Sequence, residues 1–206
     1  MKITLDHISK RFQRHWIFKD VNYSFTAPRA YALLGPNGSG KSTLMRIIAG
    51  MQAPSLGKMF FFSADEKAIS NENIFRHISF CAPGMELVEE LTLREFFEFH
   101  FSFKRAIPSL TVDKIIDISG LKNISDKPIG DYSSGMKQRV KLAQAIFADT
   151  PILLLDEPCT NLDQQGMEQY RDWIEQYGKD RLVIVASNDP REYFFCREQI
   201  ILEEYK

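Results

Sequence analysis

The sequence has no apolar run approaching the ~18–20 residues that a bilayer-crossing helix needs. It has no excess of one charge: 26 Lys and Arg against 27 Asp and Glu leave a net charge of −1. Nothing in that balance seeks a polyanion, so no nucleic-acid partner is expected. The first residues, MKITLDHISKRF, alternate polar and apolar and lack the apolar centre of a secretory signal. A cytosolic chain is expected. The only cysteines, Cys81, Cys159 and Cys196, have neither metal-ligand spacing nor even pairing. They read as buried or idle thiols. No internal repeat, low-complexity tract or flexible linker is present. What is there is 44% hydrophobic and 26% charged, an ordinary globular composition. The 206 residues suffice for one domain, or one domain with a large insertion.

The pattern begins as strands. KITLDHISKRF alternates, as does the stretch from Phe18 to Phe25, and YALLG (31–35) is a short buried strand. A glycine-rich loop follows, then STLMRIIAG, with Leu44, Ile47 and Ile48 at helical spacing and a stop at Gly50. Lys58 to Phe62 and Ile78 to Cys81 read as further strands. From about Leu91 to Leu121 the period is helical. Thr92 and Glu95 fit a capping box, and Val112 to Ile118 is a second run ending near Gly120. Ser134 to Ala148 is a long helix, followed by Pro151 and the strand ILLLD. Asn161 to Tyr177 is helical with a stop at Gly178, and 182–187 is a buried strand. Strands joined by crossover helices predict a mainly parallel α/β sheet. The helical block near 85–135 reads as an insertion. Ligands of such sheets sit at the C-terminal strand ends.

Gly35-Pro36-Asn37-Gly38-Ser39-Gly40-Lys41-Ser42 matches G-x-x-x-x-G-K-[ST] at every position, between a strand and a helix that continues with Thr43. The glycines permit a tight turn whose N–H groups, with the helix N-terminus, form an anion cradle. Lys41 adds a point charge toward the β and γ phosphates. The Ser42 hydroxyl is a hard oxygen suited to Mg²⁺. A nucleoside triphosphate is the expected ligand. Phe12, in an early strand, has two open readings: it stacks on the base, or it is a core aromatic.

ILLLDEP (152–158) is an apolar strand ending in Asp156-Glu157. Successive strand side chains face opposite ways, so the two carboxylates are expected to divide the work. Asp156 is placed to hold Mg²⁺ through its water shell. Glu157 is left to polarise an attacking water.

Between these motifs lies Tyr132-Ser133-Ser134-Gly135-Met136-Lys137-Gln138-Arg139, where Ser133 or Ser134 can cap the helix that begins there. It follows the phosphate loop, precedes the acidic strand by a short distance, and is followed by TNLD (160–163). That order and spacing resemble the ATP-binding-cassette ATPases over essentially the whole chain. The resemblance implies a P-loop NTPase core (1–84 and 136–206) with an antiparallel N-terminal part and a helical subdomain at about 85–135, in one domain of 1–206. It implies two cassettes facing head to tail with two ATP molecules between them. Ser133, Ser134 and Gly135 would contact the γ-phosphate of the partner's ATP, and Asp163 would lie at the dimer interface. ATP and Mg²⁺ are the implied cofactors, and Glu157 the implied catalytic residue.

The chain departs from the family pattern at three places. Ser134 stands where the signature usually has its first glycine. Pro83-Gly84 stands where a glutamine usually follows the strand near residue 80, with Glu86 close by in sequence. Asn188 stands where the strand at 182–187 is usually followed by a histidine. An amide still donates to and accepts from a phosphate, but it carries no charge and shuttles no proton. A cassette without spans of its own implies a separate membrane-spanning partner and a place at the inner face of the membrane. Length and signature lean toward an exporter. Alternatives are a soluble cassette acting on ribosomes or DNA, and a regulator with little hydrolysis. The segment REFFEFHFSFKR (94–105) is rich in phenylalanine. Phe96, Phe97 and Phe101 share a face with Leu93, while Phe99 and Phe103 widen the apolar arc. Either that arc is the wall of a docking groove, or all five rings pack inside the helical part.

Overall fold

The computed structural model describes all 206 residues. In chain order the strands are β1 (Lys2–Phe12), β2 (His15–Thr26), β3 (Arg29–Leu34), β4 (Leu56–Phe62), β5 (Ala68–Ile69), β6 (Ile78–Cys81), β7 (Ile152–Asp156), β8 (Leu182–Ala186) and β9 (Glu198–Ile201). The helices are α1 (Lys41–Ile48), α2 (Leu93–Phe103), α3 (Val112–Ser119), α4 (Ser134–Ile146) and α5 (Gln164–Tyr177). The chain divides into two compact units. One holds Met1–Phe80, Thr150–Glu157 and Lys179–Lys206, and the other Cys81–Asp149 and Pro158–Gly178.

The first unit is built on two sheets. One is antiparallel, in the order β2-β1-β4-β5, and the other runs β6-β7-β8-β3-β9. In the second sheet β7 and β8, β8 and β3, and β3 and β9 pair in parallel. Every residue of β7 (ILLLD) and β8 (LVIVA) is buried, as strands covered on both faces must be. The antiparallel sheet is covered on one face only. Ile3, Leu5, Phe18, Phe25 and Phe61 point into a core shared with Leu44, Ile47 and Ile48 of α1 and with Leu154 and Ile184 of the parallel sheet. At the N-terminal strand ends Arg181 donates to the Ser79 and Thr150 hydroxyls at 2.8 and 2.6 Å, which joins the starts of β6, β7 and β8. That network leaves the opposite edge of the sheet free for chemistry.

The second unit is helical. The expected capping box opens α2: Thr92 Oγ1 accepts from the Glu95 N–H, and the Glu95 carboxylate accepts from the Thr92 N–H at 2.9 Å. Gly120 closes α3 in the left-handed conformation. Other boundaries differ from expectation. The helix expected to reach Ala148 stops at Ile146, because Ala148 pairs with Ala106 as an isolated β-bridge. The helix expected from Asn161 begins at Gln164. Asn161 is left-handed at φ 65, and Asp163 caps α5 by accepting from the Gly166 N–H at 2.8 Å. Strand β8 is not the last of its sheet. Strand β9, too short and too polar to carry a pattern, adds to the free edge of β3.

Candidate functional site

Register places one set of residues on one edge of the first unit. Asp156 lies opposite Ala186 on β8, and Leu33 of β3 pairs with the same Ala186. Gly35 and Asn188 each stand two residues past that line. The phosphate loop, the acidic strand end and the Asn188 tip therefore share the C-terminal edge of the sheet, where α/β sheets hold their ligands.

The loop is a tight structure. The Ser39 N–H donates to the Pro36 carbonyl at 3.0 Å. Gly40 sits at φ 107, and a Cβ there would lie 2.4 Å from Ile17 Cγ2 and 3.0 Å from the Phe18 ring. Glycine is required at that position by backbone angle and by space together. Helix α1 starts at Lys41, with Gly40 as its cap residue and no side-chain cap on its first N–H groups. Those donors are left for an anion. The Lys41 ammonium is folded back on the loop and donates to the Gly35 and Pro36 carbonyls. Burial lowers its pKa, opposed by the charges of Glu157 and Asp156.

Asp156 is 2% exposed. Burial raises its pKa, with the Ser42 hydroxyl bonding the carboxylate and opposing the shift. Its Oδ1 has no hydrogen-bond partner, and neither does the buried Ser39 hydroxyl in the loop. A buried acceptor without a donor is costly unless something else completes it. The next residue leaves the strand: Glu157 adopts φ 45, and its N–H donates to the Ala186 carbonyl at 2.9 Å. The strict strand alternation expected for the pair therefore stops at Asp156. Glu157 is turned by a left-handed backbone, which a non-glycine residue holds only where its surroundings enforce it.

Asn188 bonds the phosphate loop directly. Its Nδ2 donates to Asn37 Oδ1 at 3.1 Å, and its Oδ1 accepts from Lys41 Nζ at 3.4 Å. The amide thus uses both its donor and its acceptor on the loop. Residues 187–191 also form a turn, in which the Asp189 N–H donates to Ser187 Oγ and Asp189 pairs with Arg191. Phe12 is 48% exposed and lies under Lys10 Nζ, 5.2 Å from the ring centroid. The core-aromatic reading of Phe12 is therefore excluded. It ends β1 at the hairpin into β2, the strand that supplies Ile17 and Phe18 to Gly40.

In the second unit Ser133 caps α4, its hydroxyl accepting from the Met136 N–H. Ser134 is the first helical residue and is exposed. A Cβ on Gly135 would lie 2.8 Å from the Asn161 carbonyl oxygen, so the helix start packs tightly on the loop before α5. Ser133, Ser134, Gly135, Arg139, Asn161 and Asp163 line a recess of ≈ 490 Å³ together with the 120–124 segment. Three bonds here were not foreseen. Gln138 is 3% exposed and donates to the Pro158 carbonyl at 2.7 Å. Arg139 Nη2 donates to Asp163 Oδ1 at 2.9 Å. Lys141 Nζ donates to the Pro83 carbonyl at 2.9 Å, beside an exposed Glu86. For the first of these bonds the available signal was Gln138, a polar residue on the buried face of α4.

On α2, Leu93, Phe96 and Phe97 are buried, as their shared face predicts, while Phe101 on the same face is only half-buried. Phe99 is 53% and Phe103 78% exposed, their ring centroids 5.1 Å apart. The reading in which all five rings pack inside is therefore excluded.

A parallel sheet whose C-terminal edge carries this loop, with an antiparallel sheet and helices added, is the fold of the P-loop NTPases. The sequence model of the family described as ABC transporter matches residues 18–160, and the chain belongs to that family. It is 31% identical over 207 residues to a sulfate/thiosulfate import ATP-binding protein of Thermosynechococcus vestitus, covering 98% of this chain and 61% of that protein. It is also similar to the probable sulfate/thiosulfate import ATP-binding protein of Chlorella vulgaris, 31% identical over 210 residues, with 99% of this chain and 88% of that protein covered. Among solved structures, a putative ABC transporter ATP-binding protein from Pyrococcus furiosus superimposes with a TM-score of 0.82 at 19% identity over the whole of both chains. The chain thus spans about three fifths of the first relative's length. Both named relatives are import proteins, which runs against the exporter lean of the signature. No helix is long and apolar enough to cross a membrane.

Proposed function

We propose that the chain binds ATP with Mg²⁺ on the 35–43 loop, hydrolyses it with Glu157, and drives a separate membrane-spanning transporter subunit from the cytoplasmic face. What carries the reading is the convergence of Lys41, Asp156 and Asn188 on one glycine-rich loop at the sheet edge. Lys41 would release the two loop carbonyls and turn to the β and γ phosphates, joined by the N–H groups of Gly38 to Thr43. The amide of Asn188, already on Lys41 and Asn37, would reach the γ-phosphate and register its loss. Exposed Phe12 would stack on the base.

A magnesium ion fits the donor set. Asp156 presents a buried, unpartnered carboxylate oxygen, and Ser42 adds a hydroxyl that already bonds the same carboxylate. Both are hard oxygens, the class this ion takes. When bound it supplies positive charge that offsets the charge of the phosphates. Glu157 would accept the proton of the attacking water.

The cassette would act as one of a pair, identical or not. Ser133, Ser134 and Gly135 would face the partner's ATP, with Asp163 at the same interface. The direction of transport is assigned to import, on the strength of the named relatives. The segment at about 85–135 would be the helical part that receives the membrane subunit, with Phe99 and Phe103 on the contact.

Titration with a fluorescent ATP analogue tests the nucleotide reading. Lys41→Ala should weaken binding by about 10- to 100-fold, the range for losing charged hydrogen bonds. Unchanged affinity would remove the loop from the binding site. The membrane reading has its own test. Phe99→Gln with Phe103→Gln should cut recovery of the protein with membranes of its own cells several-fold. The melting temperature should hold, because exposed substitutions usually change stability by less than about 0.5 kcal/mol. Undiminished recovery would assign the two rings to some other contact.

A second reading is favoured by Asn188 and by Pro83-Gly84, which bring no imidazole and no glutamine. It is a regulator that binds ATP with little turnover, and loss of hydrolysis on Glu157→Gln separates the two readings.

A further inference from the structure

Three successive contacts join the first two turns of α4 to the 158–163 loop. Gln138, fully inside, donates to the Pro158 carbonyl at 2.7 Å. Gly135 lets the Asn161 carbonyl approach to a distance no larger residue would allow. Arg139 donates to Asp163 Oδ1 at 2.9 Å, the same oxygen that caps α5 through the Gly166 N–H at 2.8 Å. Asn161 is held left-handed between these points. The Asp163 carboxylate therefore already has two donors from its own chain, a guanidinium and a helix N–H.

We infer that Arg139 and Gln138 are positioning residues, which fix the 158–163 loop against Ser133–Gly135 so that the two segments meet a second cassette's ATP as one preformed surface. The inference rests on the two-cassette reading above and adds what holds the surface in shape. The Arg139–Asp163 pair is half open to solvent, with the Asp163 side chain 68% and the Arg139 side chain 15% exposed, so its charge interaction adds only modestly to stability. The pair's effect falls on association instead. A loop ordered beforehand loses less freedom when the partner arrives. Burial supports the same division. Gln138 anchors the loop from inside, where an unpaired Pro158 carbonyl would be costly, and Arg139 adjusts its exposed end.

The test uses the full chain in a Glu157→Gln background, in which ATP-bound pairs would accumulate. ATP-driven pairing is measured by sedimentation. ATP affinity is measured separately on dilute protein, and melting temperature alongside. Arg139→Ala should weaken pairing by about tenfold, as loss of a charged hydrogen bond does. ATP affinity should stay within about twofold, and melting should fall only modestly, by the lost packing of the Arg139 stem. Arg139→Lys should recover part of the loss, since it keeps one charged donor. Asp163→Asn preserves the helix cap, and added to Arg139→Ala it should cause no further loss. If Arg139→Ala is poorly folded, Arg139→Lys and Asp163→Asn carry the test as single variants: each should weaken pairing relative to the parent while ATP affinity holds, and pairing equal to the parent in both would overturn the inference. Pairing unaffected by Arg139→Ala, or losses that add in the double variant, would overturn the inference alone. A parent that binds ATP yet never pairs would overturn the two-cassette reading and the inference with it.

Discussion

Replacing Glu157 by glutamine should lower ATP hydrolysis by about 10²–10⁴-fold, the usual contribution of a positioned general base. Binding should barely change. The amide keeps the shape of the side chain and loses only the capacity to take a proton. The backbone argues for this role over that of a second metal ligand. Asp156 is the last strand residue, buried, with its carboxylate on Ser42. Glu157 is turned out of the strand at φ 45 and held there by the bond from its N–H to the Ala186 carbonyl. A left-handed glutamate costs free energy, which is consistent with a site where direction matters more than stability. Charge points the same way. Glu157 is the larger of the two carboxylate influences that raise the Lys41 pKa. Removing its charge leaves Lys41 freer for phosphate, so ATP affinity should stay level or rise. Phosphate release at saturating ATP, beside equilibrium ATP titration, checks both parts. Equal rates in the two proteins, both above background, would move the base elsewhere. No rate in either would favour the regulator.

The elements that were legible in the sequence are those where one residue type is physically forced. Gly40 could be read because no side chain fits at φ 107 against Ile17. Strands β7 and β8 could be read because burial on both faces demands unbroken apolar runs. Thr92 with Glu95, and Gly120, announced the ends of α2 and α3 through their caps. What escaped depends on contacts distant in sequence. Strand β9 exists because β3 has a free edge, a fact of topology. The late start of α5 follows from Asn161 being pressed on Gly135 and from Asp163 taking the cap. The turn at Glu157 follows from its bond to β8. Periodicity could define the apolar arc of α2, but not that Phe99 and Phe103 would be left uncovered. The position of Asn188 was legible. Its bonds to Asn37 and Lys41 required the strand register.

Acid should destabilise the helical unit through His100, by up to roughly 3 kcal/mol between pH 6.5 and 4. His100 lies on α2, its ring stacked on Phe96 with centroids 6.2 Å apart and edge-on to Phe101. Its Nε2 is buried with no partner, while the ring bonds the Gln144 backbone. Burial, reinforced by the Lys104 charge, lowers its pKa to about 4, against the single opposing effect of the Gln144 bond. The folded protein thus holds a neutral ring over a range where the unfolded chain, near 6.5, takes up a proton. The unfolded state binds more protons there, so stability is complete above pH 6.5, falls as pH drops, and levels off below 4. Other carboxylates protonate in the same range, so the informative quantity is the difference between the wild type and His100→Phe. That variant keeps an aromatic ring beside Phe96 and has no proton to gain. Urea unfolding at intervals from pH 7 to pH 4 should show the wild type losing stability more steeply, by up to about 1.4 kcal/mol per pH unit. The variant would begin less stable at pH 7, having lost the Gln144 bond, and the two curves would converge or cross in acid. Parallel curves would mean that His100 stays neutral in the unfolded chain as well, or reaches water in the folded one. Either would remove the histidine as the acid-sensitive point of the helix that carries Phe99 and Phe103.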